Sequence, residues 1–216
     1  MIYENWMIVS GCERLTPGCN NCPSYWEYHK QGLDYHPIEH QGRLLDPILN
    51  KVPTIYTVAV GSDLFHEAIR TPFIEDVFKI MNKATWHSFE LVTKRAERME
   101  YLSSLKWSDN ITAGVSVEEA RYTWRIDCLR NVKANRLVSF GPMTGPMGKL
   151  NLNGIETAGI VTEHWGPNPR IMKKEWIEEI RDQCKKQGVS ISETHWLSIN
   201  NEEVVQCQAQ QQQKQQ

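Results

Sequence analysis

The sequence lacks both a long apolar run and an excess of charge of one sign. No stretch approaches the roughly 18 to 20 apolar residues that a membrane-spanning helix needs. Lys and Arg total 24 against 26 Asp and Glu, so we expect no broad cationic field that binds DNA non-specifically. The first residues carry no basic segment before an apolar stretch, which predicts a cytoplasmic protein without a secretion signal. A nucleic-acid substrate would have to be bound by a local patch.

The chain has six cysteines, and they are unevenly distributed. Disulfide frameworks are typical of short secreted chains, so we do not expect one in a chain of 216 residues. Cys128 and Cys184 fall in predicted helices, where a cysteine is more often a small buried apolar residue than a ligand, and Cys207 stands beside a glutamine-rich end. The remaining three, Cys12, Cys19 and Cys22, lie within eleven residues and are the informative group.

Short apolar, β-branched runs alternate with helical patterns along the chain. Repeated strand–helix–strand units imply right-handed crossovers and a mostly parallel sheet. An open doubly wound sheet is the alternative, but we favour an α/β fold in the form of an incomplete (β/α) barrel with six or seven mostly parallel strands. The predicted strands are 6–10, 54–60, 88–93, 111–117, 136–140, 157–162 and 189–193, and the predicted helices are 72–81, 95–105, 117–131 and 172–186.

We expect one domain over residues 1–205, followed by a disordered tail over 206–216. The first range is long enough to bury a single core. Within it, segment 23–53 has weak periodicity and is interpreted as one short helix and a long loop. The tail contains eight glutamines in eleven residues, a composition that cannot bury a core.

The three clustered cysteines form a C-x6-C-x2-C pattern on a turn-rich loop after the first predicted strand. The Pro-Gly and Asn-Asn pairs between them favour turns, which lets three thiolates converge. A structural zinc site would need a fourth ligand, for which His29 and His36 are the nearest candidates. A [4Fe–4S] cluster on three cysteines leaves one iron without a protein ligand, and S-adenosylmethionine (SAM) could chelate that iron through its amino and carboxylate groups. We favour the cluster, because barrel active sites lie at the carboxyl ends of strands.

Polar side chains follow the next predicted strands. Ser62 and Asp63 could accept the ammonium group of SAM, although Asp63 could equally cap the next helix. After the third strand come Thr93, Lys94 and Arg95. The two cations could bind a carboxylate or a phosphate, and positive charge at a helix start opposes the helix dipole, which favours a functional role.

Later strand ends supply further candidates. Ser116 and Glu118 could hydrogen-bond the ribose hydroxyls of SAM, or could form a capping box with the following glutamate. Glu163, with His164, could handle protons or bind substrate, and His195 could act similarly. The tryptophans 165 and 196 could stack a flipped base. We assign Cys12, Cys19 and Cys22 to metal binding, Ser62, Asp63, Thr93, Ser116 and Glu118 to cofactor binding, and Lys94 and Glu163 to catalysis.

The ordered motifs resemble those of the phage Gp37/Gp68 family. The first is the run from Trp6 through Gly11-Cys12 to the turn and the last cysteine, and the similarity continues at 61–65, 91–95, 114–118 and 140–146. It covers nearly the whole chain except the tail. In place of the tyrosine usual after the third cysteine, this chain has Pro23. The resemblance implies a radical-SAM-like partial barrel with a [4Fe–4S] cluster.

The same resemblance implies a function. Some family members belong to pathways that hypermodify thymine in phage DNA, where a radical SAM isomerase rearranges a glycyl-substituted thymidine from its N-linked to its C-linked form. We therefore expect an enzyme of the host cytoplasm that acts on modified DNA and takes electrons from an external donor. The alternatives are a non-catalytic zinc- or cluster-bearing module that binds nucleic acid or a partner protein, and a radical SAM enzyme with another substrate.

Overall fold

The computed structural model describes residues 2–163 and 169–191. Its strands are β1 (Ile2–Trp6), β2 (Val9–Ser10), β3 (Ile38–Glu39), β4 (Thr54–Val58), β5 (Ser88–Thr93), β6 (Ile111–Val117), β7 (Asn135–Phe140), β8 (Thr157–Ile160) and β9 (Ser190–Ile191). Its α-helices are α1 (Pro23–Lys30), α2 (Asp46–Leu49), α3 (Thr71–Lys83), α4 (Ala96–Tyr101), α5 (Trp124–Arg130) and α6 (Lys174–Gln187).

Seven strands form one parallel sheet in which spatial order follows chain order, β1-β4-β5-β6-β7-β8-β9. A doubly wound sheet reverses its strand order at a switch point, whereas a barrel adds each strand beside the previous one. The described sheet begins with β1 and ends with β9, so the barrel is incomplete. The predicted fold class, an α/β fold in the form of an incomplete (β/α) barrel with mostly parallel strands, is confirmed.

The two faces of the sheet differ in polarity. On β5, Phe89 and Leu91 are buried in the main core, and α3 contributes Ile74 and Val77 to the same core from a face with helical periodicity. The alternate residues of β5 are less buried. In-register residues share a face, so Asn5, Thr57, Glu90 and Thr112 form a polar row across the inner face of β1, β4, β5 and β6.

The first predicted strand is displaced in the structure. The strand of the main sheet is Ile2–Trp6, whereas Val9–Ser10 pairs antiparallel with Ile38–Glu39 in a separate two-stranded sheet. Ile8 and Val9 are fully buried. Apolar composition correctly signalled their burial, but periodicity does not distinguish a short buried strand from another buried segment. The displacement leaves the cysteine loop beyond the carboxyl end of β1, where it was expected.

Some other boundaries also differ from the prediction. The predicted helix 117–131 is shortened to Trp124–Arg130 because β6 continues through Val117 and a short 3-10 turn, Ala120–Tyr122, intervenes. Segment 23–53 contains α1 as expected, and also β3 and α2. Gly188 follows α6 in the left-handed region with φ 71°.

Several predictions concern positions outside the described residues. They are the tail 206–216, the histidines 164 and 195, and the tryptophans 165 and 196. Among the helices that the structure describes, none is long and apolar enough to cross a membrane.

Candidate functional site

The cysteine loop is folded by successive turns against the chain that follows α1. The amide of Cys12 donates to the Tyr35 carbonyl at 3.0 Å. Just before it, Gly11 has φ 76°, and a Cβ there would lie 1.9 Å from the His36 carbonyl oxygen, so this close approach requires glycine. The amide of Cys19 donates to the Thr16 carbonyl at 2.8 Å, and a second turn carries the chain on to Cys22.

The three thiols of this loop are free and partly exposed. Burial raises the pKa of Cys12, and the negative charge of Cys19 contributes to that increase. Burial raises the pKa of the Tyr35 hydroxyl, and the nearby thiols of Cys22 and Cys12 raise it further. The Tyr35 hydroxyl is therefore near the thiols of both Cys22 and Cys12, and the convergence of all three thiolates on one metal group stays a prediction.

Lys94, the first residue after β5, reaches into this group. Its Nζ lies 3.3 Å from Sγ of Cys19 and 2.8 Å from Oε1 of Glu118. Burial by itself would raise the pKa of Cys19, but the Lys94 ammonium and hydrogen bonds from the Thr16 region outweigh it and lower that pKa. The sequence suggested an anion site or a solvated helix start for Lys94, and the structure places it in a partly buried contact with a cysteine.

Glu118 is fully buried and has three partners. Besides Lys94, Arg125 Nη1 donates to its Oε2 at 2.7 Å and the Thr16 hydroxyl donates to its Oε1 at 2.6 Å. Burial opposes its ionisation, but the two cations hold the pKa of Glu118 below its usual value. A Cβ on Gly18 would lie 2.6 Å from Glu118 Cγ. The cysteine loop therefore rests directly on this carboxylate.

Arg95 forms a second arrangement of the same kind. Its Nη1 lies 3.7 Å from Sγ of Cys12 and 3.2 Å from Oδ2 of Asp63. The Thr93 hydroxyl is 2.7 Å from Asp63 Oδ1, and Glu67 binds the Nε of Arg95 at 2.7 Å. Asp63 also accepts the Phe65 amide within a turn, whereas the next α-helix begins at residue 71, so Asp63 is not its cap.

The ionisation of Cys12 differs from that of Cys19. Burial raises the pKa of Cys12 to about 11, and the negative charge of Asp63 adds to the effect although Arg95 opposes it. The Lys94 contact thus favours the thiolate of Cys19 in the metal-free protein, while the thiol form of Cys12 persists.

Glu163 anchors the other side of the cysteine loop. It is buried and accepts two hydrogen bonds from the Arg170 guanidinium, at 2.5 and 2.9 Å, and one from Asn21 at 2.8 Å. Arg170 also donates to the Pro17 carbonyl at 2.8 Å. Burial would raise the pKa of Glu163, but Arg170 lowers it below the usual range. This pair therefore holds the loop at Pro17 and Asn21.

Two sequence candidates bind backbone groups. The Ser62 hydroxyl contacts the carbonyls of Val9 and Ala59, at 2.8 and 2.9 Å. The Ser116 hydroxyl donates to the Gly141 carbonyl at 2.9 Å. Both therefore stabilise the connections around the strand ends.

Among the participants missed from the sequence are Thr16, Tyr35, Arg125 and Arg170. Thr16 stands in the quoted cysteine motif and could have been singled out there. The other three contact the site from segments distant in the chain, Arg125 from α5 and Arg170 from the segment before α6. No local pattern in the sequence distinguishes them from solvent-exposed basic or aromatic residues.

Three thiols on one loop, two of them beside cations, are a donor set of the type that an iron–sulfur cluster uses. Zinc with Zn–S bonds near 2.3 Å needs its ligands clustered within about 4 Å of one another. Within 2–163 and 169–191, no three His, Cys, Asp or Glu side chains are grouped in the way that one ion requires. An iron–sulfur cluster holds each thiolate on a different iron, and Lys94 and Arg95 offset the negative charge of such a group.

Solved structures of spore photoproduct lyase have a similar fold. The complex with dinucleoside spore photoproduct is 12% identical with a TM-score of 0.54, over 97% of this chain and 73% of that chain. A variant with bound AdoMet (SAM) and dinucleoside spore photoproduct is 12% identical with a TM-score of 0.52, over 96% of this chain and 72% of that one.

Comparison of the sequence with protein families identifies the family of this chain. No curated protein matches the chain, and the resemblance to the phage Gp37/Gp68 family is not confirmed. Residues 2–216 match the family described as protein of unknown function DUF5131, and the chain belongs to this family.

Proposed function

We propose that this protein is a radical SAM enzyme that acts on a modified nucleobase in DNA. One observation carries the proposal: three thiols on one loop, two of them in contact with cations, lie at the strand ends of a fold shared with a lyase solved with AdoMet and dinucleoside spore photoproduct. Cys12, Cys19 and Cys22 would hold a [4Fe–4S] cluster. When bound, the cluster and SAM supply reductive cleavage of the sulfonium to a 5′-deoxyadenosyl radical.

The residues around the thiols have separate roles in this proposal. Lys94 contacts Sγ of Cys19 and so acts directly at the cofactor. Glu163 reaches the loop through Asn21 and Arg170, and it acts as a positioning residue rather than a catalytic one. Asp63, Thr93 and Glu118 hold the cations, while Ser62 and Ser116 fix the backbone at the cofactor site.

The inner face of the sheet would receive the nucleobase. Asn5, Thr57, Glu90 and Thr112 lie in one row there. These side chains offer hydrogen-bond donors and acceptors, which suit the edge of a base taken out of the stack. The row lies before the strand ends, so a base on this face would approach the thiols from inside the barrel.

The finer proposal is an isomerisation. The substrate would be a glycyl-substituted thymidine, converted from its N-linked to its C-linked form, in a pathway that hypermodifies phage DNA. An external donor would supply electrons to the cluster. Support for a DNA substrate comes from the fold shared with a lyase solved with a dinucleoside, and support for this particular reaction comes from the motifs at the strand ends.

Anaerobic reconstitution tests the cofactor. We expect about four irons and four sulfides per chain and, after reduction with dithionite, formation of 5′-deoxyadenosine from SAM. Stoichiometric zinc without SAM cleavage would refute the enzyme and favour a non-catalytic binding module. Incubation with DNA that contains glycyl thymidine then tests the reaction. The expected product has the mass of the substrate and a new chromatographic position, and its absence despite SAM cleavage would refute this substrate only.

A further inference from the structure

Two consecutive cations at the end of β5 contact two different cysteines. Lys94 Nζ lies 3.3 Å from Sγ of Cys19, and Arg95 Nη1 lies 3.7 Å from Sγ of Cys12. The two residues lie in the turn between β5 and α4, and they reach separate thiols. Both distances are within the range of N–H···S hydrogen bonds.

Each cation is held in place by a buried carboxylate. Glu118 is 0% exposed and binds Lys94, while Asp63 is 5% exposed and binds Arg95. Arg125 also binds Glu118, so the carboxylate stays ionised and fixed. Held side chains lose little freedom when they donate to sulfur, and partial burial weakens the screening of their charge by water.

The third thiol has a different environment. The Tyr35 hydroxyl lies 3.9 Å from Sγ of Cys22, but it donates its single hydrogen to the Gly61 carbonyl. In these contacts the Tyr35 hydroxyl places no positive charge beside Cys22, and it has no second hydrogen to donate to the Cys22 sulfur. The charge and the hydrogen bonds are concentrated on Cys12 and Cys19.

We propose that Lys94 and Arg95 are positioning residues that raise the reduction potential of the cluster held by Cys12, Cys19 and Cys22. The inference rests on the proposed function, since it requires that cluster. One-electron reduction adds a negative charge that is shared with the thiolate sulfurs. Hydrogen bonds and positive charge at those sulfurs stabilise the reduced form more than the oxidised form, so the two cations ease electron transfer from an external donor.

Redox titration of the reconstituted protein, with dithionite and mediator dyes, tests this role. Lys94→Met should lower the reduction potential of the cluster by about 59 mV, which corresponds to a tenfold change in the oxidised-to-reduced ratio of a one-electron couple. Lys94→Arg keeps the charge and should restore most of the loss. Lys149→Met makes the same substitution at an exposed lysine and should leave the potential unchanged. Iron content is measured in every sample.

The outcomes separate this inference from the proposed function. A wild-type protein that binds no iron refutes both. The tuning role alone is refuted if the wild-type protein binds about four irons and the iron-loaded Lys94→Met variant has the same reduction potential as the wild type. If Lys94→Met does not retain iron, Lys94→Gln is titrated instead, because its amide still donates a hydrogen bond but carries no charge. A lowered potential in that variant supports the role, and an unchanged one overturns it.

Discussion

Lys94 and Glu118, from the ends of the neighbouring strands β5 and β6, form a buried ion pair with Nζ and Oε1 2.8 Å apart. The same lysine contacts Cys19, and the same glutamate accepts the Thr16 hydroxyl. The pair therefore joins the sheet to the cysteine loop. A charged pair is costly to bury unless every member has partners, and here Arg125 supplies the additional cation. Five predictions follow from this arrangement and its neighbours.

Replacing Glu118 should destabilise the fold. Glu118→Gln leaves Arg125 and Lys94 buried without their carboxylate, and loss of one partner of a buried ion pair typically costs about 3–5 kcal/mol. Chemical denaturation of the metal-free protein measures the free energy of unfolding. Glu119→Gln is the control, because Glu119 lies next in sequence but its partner Arg121 is exposed, and it should cost less than about 1 kcal/mol. Equal losses in the two variants would contradict the central role of Glu118.

Adding a methyl group at Gly18 should disturb the cysteine loop. The new Cβ would lie 2.6 Å from Glu118 Cγ, and overpacking of this kind costs about 1–3 kcal/mol. Gly18→Ala should therefore lower the free energy of unfolding and reduce iron uptake. At Gly42, a Cβ would meet nothing within 4 Å, so Gly42→Ala is the matched control and should change neither. Normal stability and iron uptake in Gly18→Ala would show that the loop does not rest on Glu118.

The Glu163–Arg170 pair should make stability depend on pH in the acid range. Arg170 lowers the pKa of Glu163 in the folded protein, so the stabilisation is complete above the unfolded pKa of about 4.3 and is lost as pH falls through the lower folded value. Glu163→Gln should cost about 1–3 kcal/mol at pH 7 and lose less stability than the wild type on acidification. Urea denaturation at several pH values measures both. Parallel curves for the two proteins would refute this role.

Thiol reactivity in the metal-free, reduced protein should distinguish Cys19 from Cys12. The thiolate is the reactive form, the pKa of Cys19 is lowered, and that of Cys12 is raised to about 11. Alkylation with iodoacetamide, followed by mass spectrometry, should therefore label Cys19 at lower pH than Cys12. Lys94→Met should move the profile of Cys19 to higher pH. If Cys12 reacts first, the Lys94 contact does not govern these thiols.

Removal of one cluster ligand should remove the visible absorbance of the reconstituted protein. Cys19→Ala leaves two of the three proposed thiolates, so the charge-transfer absorbance of a thiolate-held cluster should be lost. Cys128→Ala changes a half-buried cysteine on α5, outside the loop, and should keep it. An unchanged spectrum in Cys19→Ala would exclude Cys19 as a ligand.

Local pattern was sufficient for much of the fold. The strands 88–93 and 111–117 were predicted with the bounds that the structure has, because both are short apolar runs bounded by polar segments. The first strand was misplaced, since the apolar run from Trp6 to Val9 signals burial without specifying pairing. Spacing and turn residues also located the three cysteines on one loop beyond the first strand.

Pattern along the chain was enough to infer the alternation of strands and helices, the cysteine loop and the strand ends that carry polar residues. Which of those residues are in contact depends on how the strands and loops pack. Lys94 and Glu118 are adjacent because β5 and β6 pair in parallel, and Arg125 and Arg170 join the site from segments that no local pattern marks. The ionisation of the site residues also depends on the tertiary structure. Burial and neighbouring charge set the pKa of each group, and both come from contacts between residues far apart in the chain.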